Sequence, residues 1–120
     1  MYKRLYDEVA GETSSRIRQN EVSALNHSIK LMRDAEKAGI SSRESIEAMF
    51  FVSRLWGVFL EDLASAENLL PTDLKAKIIS IGIWALNYCE SVRQGAKKNF
   101  QPLIEVSEII SKGLQTQAQA

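Results

Sequence analysis

One cysteine and one histidine in 120 residues exclude two families of chemistry at once. Cys89 has no partner for an internal disulfide, and His27 alone makes no histidine-pair metal site, so no metal or cofactor is expected. Fifteen Lys and Arg balance fifteen Asp and Glu, which argues against a nucleic-acid binder, since such proteins carry a basic surplus that displaces phosphate counterions. Long apolar runs are missing too. The most apolar stretch, Ile78 to Cys89, is about half the ~20 residues a membrane span needs, so no membrane partner is expected. The opening MYKRLYDEVAGE has neither the apolar core of a secretory signal nor an arginine-rich transit pattern, and the expected location is cytoplasmic. No Asn-Gly or Asp-Gly turn and no sustained apolar-polar alternation signals a strand.

What is present is a core-forming composition. Hydrophobic residues make up 45% of the chain, too many for a disordered regulator, and the length suits one domain. The organising stretch is Ser41 to Pro71. At 3.6 residues per turn, Ile46, Met49, Phe50, Trp56, Leu60 and Leu63 share one broad side, and Val52, Leu55 and Phe59 fill the neighbouring one. A helix so apolar belongs in the middle of a bundle. Ser41 and Glu44 have the spacing of a capping box at its start, and Glu61 and Asp62 in its last turn need a donor from outside the helix, or water.

Ahead of this stretch, Tyr2, Leu5, Tyr6 and Val9 suggest a short helical hook. GETSS (11–15) reads as a linker, and Val22, Leu25, Ile29 and Met32 form a one-faced helix closed by Gly39. After it, Pro71 opens a helix with Leu74, Ile78, Ile81, Ala85, Tyr88 and Val92 in one stripe and Ile79, Ile83 and Leu86 in a second. Gly82 inside this helix suggests close approach of another backbone. The last helix runs from Pro102 with Leu103, Val106, Ile110 and Leu114 on one face; Gly113 ends it and QTQAQA reads as a disordered tail. The fold class is all-α, a bundle of four main helices with a short N-terminal helical hook, in one domain of residues 1–114 followed by a tail of 115–120. The expected core includes Ile46, Phe50, Trp56, Leu60, Leu63, Ile78 and Ile81.

Catalytic patterns do not emerge. Glu61 and Asp62 are adjacent and so splay about 100° apart on a helix, and no Walker loop, dinucleotide fingerprint or nucleophile elbow occurs. The reading is not an enzyme, with Cys89 a buried structural thiol and His27 a surface residue. One polar face carries an anomaly. Glu47, Phe51, Arg54, Val58 and Glu61 line up along the central helix, and Phe51 and Val58 need a cover, either the hook with Tyr2 and Tyr6 or a partner helix. The candidate partner-binding residues are therefore Phe51, Arg54 and Val58 with the second stripe, Ile79, Ile83 and Leu86. The last helix, if it lies over that stripe, would act as a gate.

Arg54-Leu55-Trp56, Leu63-Ala64, Asn68-x-Leu70-Pro71-x-x-Leu74-x-Ala76, Pro102-Leu103-Ile104-Glu105 and Gly113-Leu114, in this order and spacing, resemble the FlaF family of flagellar biosynthesis regulators. The opening tyrosine segment resembles it too, whereas residues 11–40 agree only in helical pattern. The resemblance implies a cytoplasmic adaptor or chaperone that binds flagellin and promotes its production or export, beside the regulator FlbT. The alternative is a post-transcriptional regulator acting directly on flagellin mRNA, for which Lys97 and Lys98 with nearby Arg93 are the only support, a short cluster of the kind that complements a helix C-terminus.

Overall fold

The computed structural model describes the backbone of residues 2–119 and the side chains of residues 20–116. Four helices follow in order: α1 (Tyr2–Ala38), α2 (Arg43–Ala64), α3 (Thr72–Arg93) and α4 (Gln101–Gln119), with no strand among the described residues. The molecule measures 48 × 26 × 20 Å, so its cross-section is two helices thick at about 10–12 Å each. Helix α1 packs against both α2 and α4, α2 packs against α1 and α3, and α3 barely touches α4. This is the expected all-α bundle with one open seam.

Its first helix differs from expectation. There is no linker at 11–15, because α1 runs unbroken through GETSS. A lone glycine costs a helix only about 1 kcal/mol, and extending an existing helix needs no new nucleus. The contact proposed between the tyrosine hook and Phe51 and Val58 lies outside the described side chains. At the far end the expected glycine stop is there. Gly39 has φ 103°, which reverses the chain, and its N–H donates to Ala35 O at 2.8 Å.

The start of α2 also shifts by one residue. Ser42, not Ser41, is the N-cap: its hydroxyl accepts from the Ser45 N–H at 3.1 Å and donates to Gly39 O at 2.5 Å. Glu44 then falls one position short of a capping box. The buried face of α2 is Ser45, Ala48, Val52, Trp56, Phe59 and Leu63. Trp56, Leu63 and Ile78 are core as expected, while Leu60 and Ile81 are only half-buried. Ile46 and Phe50 are a correction. They are 63% and 71% exposed, because the apolar surface of α2 spans more than half its circumference and the bundle covers only the side facing α1 and α3.

The α2–α3 loop explains the most distinctive sequence motif. Asn68 is buried; its amide donates to the Asp62 carboxylate at 2.8 Å and its side-chain oxygen accepts the Leu70 N–H at 3.0 Å. Lys75 Nζ closes the loop on Asn68 O at 3.1 Å. Leu70 is thereby held in the core, and Pro71 occupies the N-cap position immediately before α3. Asp62 thus finds the outside donor that its place at a helix C-terminus requires.

Gly82 faces side chains of α2 rather than a backbone. A Cβ there would lie 2.7 Å from Leu60 Cδ2 and 2.9 Å from Trp56 Cε3, so the absence of a side chain sets the α2–α3 spacing. Cys89 is buried beside Ser53. Burial pushes its thiol pKa up, and a hydrogen bond with Ser53 opposes this in part, as suits a structural thiol.

Helix α4 is firmly built in. Phe100, Leu103, Ile104, Ser107, Ile110, Ser111 and Leu114 are all buried. Its start is clamped from two sides, since the Phe100 N–H donates to the Glu36 carboxylate at 2.5 Å and the Tyr88 hydroxyl donates to Asn99 O at 2.8 Å. Burial, and next the nearby Glu36 carboxylate, raise the Tyr88 pKa. Gly113 does not end α4, which continues to Gln119 where a disordered tail was expected.

Two substitutions test this packing. Trp56→Ala is expected to cost about 3–5 kcal/mol in chemical denaturation. Gly82→Ala gains about 0.8–1 kcal/mol of helix propensity. It forces a methyl against the rigid Trp56 ring, where overpacking costs about 1–3 kcal/mol, so a net destabilisation of about 1 kcal/mol is expected.

Candidate protein-binding cleft

The open seam between α3 and α4 is an apolar cleft of about 210 Å³. Buried Ile78, Ile110 and Leu114 form its floor, and half-buried Leu74 and Ile81 form the α3 wall. On the α4 side stand Ile109, 69% exposed, and Gly113, where a Cβ would meet nothing within 4 Å. Lys77 is the one charged lining residue among those described. Trp84, one turn beyond Ile81, extends the α3 wall, its ring tilted against Tyr88 with centroids 5.4 Å apart.

Polar anchors explain why the seam stays open. Among the described residues, helix α4 is tied to α1 three times: Glu36 takes the Phe100 N–H, Arg33 pairs with Glu108, and the Ser111 hydroxyl donates to Asn26 Oδ1 at 2.8 Å. Its tie to α3 is Tyr88 to Asn99, at the helix start. The cleft lies towards the other end of the pair, between Leu74, Lys77, Ile78 and Ile81 on α3 and Ile109, Ile110, Gly113 and Leu114 on α4. Such a trough, apolar along its floor and two to three turns long, has the shape that receives the apolar stripe of an amphipathic helix.

The residues expected from sequence to bind a partner do not form one surface. Phe51 is half-buried with its ring edge-on to His27, centroids 4.9 Å apart. Val58, 58% exposed, lines a separate cleft of about 300 Å³ between α1 and α2, with Asn20, Glu21, Ala24, Leu55, Phe59 and Asp62. Arg54 is exposed on the outer face of α2. Ile79 and Leu86 are half-buried against the core and Ile83 is 53% exposed, all on the flank of α3 turned away from α4. Thus α4 does not cover that stripe, and the gate geometry is absent. Sequence reading missed Ile109 and Trp84, whose positions beside core stripes become informative only once α3 and α4 are seen to part.

The basic cluster is smaller than it looked. Arg93 forms a two-point pair with Glu90, and hydrogen bonding to that guanidinium holds the Glu90 carboxyl below its usual value, leaving Lys97 and Lys98 exposed in the α3–α4 connection. A more charged groove of about 540 Å³ between α1 and α4 contains Lys30, Arg33, Lys37 and Lys112, but Asp34 and Glu108 pair with two of them.

A family profile described as "Flagellar protein FlaF" matches residues 2–114. The chain belongs to the FlaF family of flagellar proteins. No curated protein and no solved structure matches it. Set on the fold, the family-like motifs fall largely on load and geometry: Trp56 and Leu63 in the α2 core, Asn68 and Leu70 in the braced loop, and Leu103 and Ile104 where α4 meets the bundle. No helix among the described residues is long and apolar enough to cross a membrane.

Deleting residues 99–120 removes seven of the described buried side chains and uncovers α1. The expected outcome is loss of cooperative thermal melting by circular dichroism, whereas a detachable lid would leave a folded, soluble protein.

Proposed function

We propose that this FlaF-family chain is a cytoplasmic adaptor or chaperone that binds flagellin before export and promotes its production or export, beside the regulator FlbT. The observation that carries the reading is the α3–α4 cleft, an apolar trough with a buried floor between two helices that barely touch. Unassembled flagellin has amphipathic terminal segments that need shielding from aggregation, and a helix-in-groove contact supplies that shielding without catalysis or a cofactor. Leu74, Ile78, Ile81 and Ile110 would take the apolar stripe of such a segment, with Ile109 and Trp84 gripping its edges. Lys77 favours an acidic residue on the segment's polar side.

Calorimetric titration with monomeric flagellin tests this. Binding is expected, and Ile109→Glu should weaken it at least about tenfold while leaving the melting temperature unchanged, because Ile109 is exposed. A folded protein that gives neither heat nor co-elution with flagellin at tens of micromolar refutes the proposal. Retardation of flagellin mRNA in the same protein preparation, lost on neutralising Lys97 and Lys98, would move the function to direct action on the message.

A further inference from the structure

The outer face of α2 carries a second apolar surface with its own logic. Ile46 and Phe50 are exposed one turn apart, and Gly57 lies about 10 Å further along the same face. A Cβ on Gly57 would meet nothing within 4 Å, so two projecting side chains are followed by a hollow. Along one edge of this face run Arg43, Glu47, Arg54 and Glu61, all exposed and alternating in sign, with Arg43 Nε donating to Glu47 Oε1 at 3.1 Å within the helix and both of those side chains still exposed. Read backwards, the alternation inverts. Two such edges laid antiparallel therefore place Arg43 against Glu61 and Glu47 against Arg54, four opposite-sign pairs for a contact related by a two-fold axis.

The same axis, level with Val52 along the helix, aligns the apolar groups. Ile46 of one copy comes level with Gly57 of the other. Phe50 enters the space bounded by Phe50, Ser53, Arg54 and Gly57 of the other copy, a knob in a four-residue hole. Charge and shape thus select one register and one orientation. We infer that α2 pairs antiparallel with α2 of a second copy of this chain, through Phe50, Ile46 and Gly57, flanked by the pairs Arg43–Glu61 and Glu47–Arg54. None of these residues lines the α3–α4 cleft. Both copies therefore keep their clefts free. A face of one helix from each copy is at the small end of specific interfaces, so the dimer is a weak, reversible one.

Sedimentation equilibrium of the full chain, from micromolar to millimolar, tests the inference. The expected result is a monomer–dimer equilibrium that Phe50→Glu weakens at least about tenfold without lowering the melting temperature. Glu47→Arg and Arg54→Glu should each weaken it, and the double reversal should restore it, a rescue that loss of folding does not mimic. A monomer at every concentration overturns the inference, as does a dimer indifferent to Phe50→Glu or a double reversal no better than either single change.

Discussion

The contact between the Trp56 indole and the bare backbone of Gly82 is the constraint on which the rest of this bundle depends. It brings α3 close against α2, with Cys89 beside Ser53 on the same seam. Held so tightly on one flank, α3 cannot also close on α4, whose polar ties run to α1 through Glu36, Arg33 and Asn26. The cleft is therefore the remainder of two strong pairings rather than a defect in either. Dry surface left in this way is the usual material of a helix-binding groove.

Apolar surplus in this chain is distributed rather than random. The α3–α4 cleft has a buried floor and one lysine, whereas the outer face of α2 carries projecting groups and a hollow with alternating charges along one edge. The first suits a segment that inserts; the second suits a surface like itself. Both occur in a chain with no excess charge of either sign, so specificity has to come from shape and from the local order of charges.

Much of the fold was legible. Hydrophobic spacing marked all four helices, Gly39 and the prolines marked turns, and the family motifs picked out Trp56, Leu63, Leu70 and Leu103 before their burial was known. What failed did so for identifiable reasons. GETSS has the composition of a linker, yet a helix crosses it, since composition reports local preference and helix continuation is cooperative. Phe100, fully buried, sits in a polar run with no periodic signal, and its place depends on Glu36, 64 residues away in sequence. Gly82 signalled a close approach, but whether to a backbone or to an indole is a matter of which residue lies opposite.

The sequence by itself determined that the chain is helical, that Trp56 belongs to its core, and that it carries more apolar surface than a simple bundle hides. Only the tertiary structure decided where the excess lies. A stripe at helical spacing states that a residue faces something apolar, and it is silent on whether that is a neighbouring helix or an open seam. Ile78 and Ile109 are both isoleucines on amphipathic helices. One is the floor of the cleft and the other its exposed rim because α4 leans on α1, a choice made by long-range contacts that no local pattern encodes.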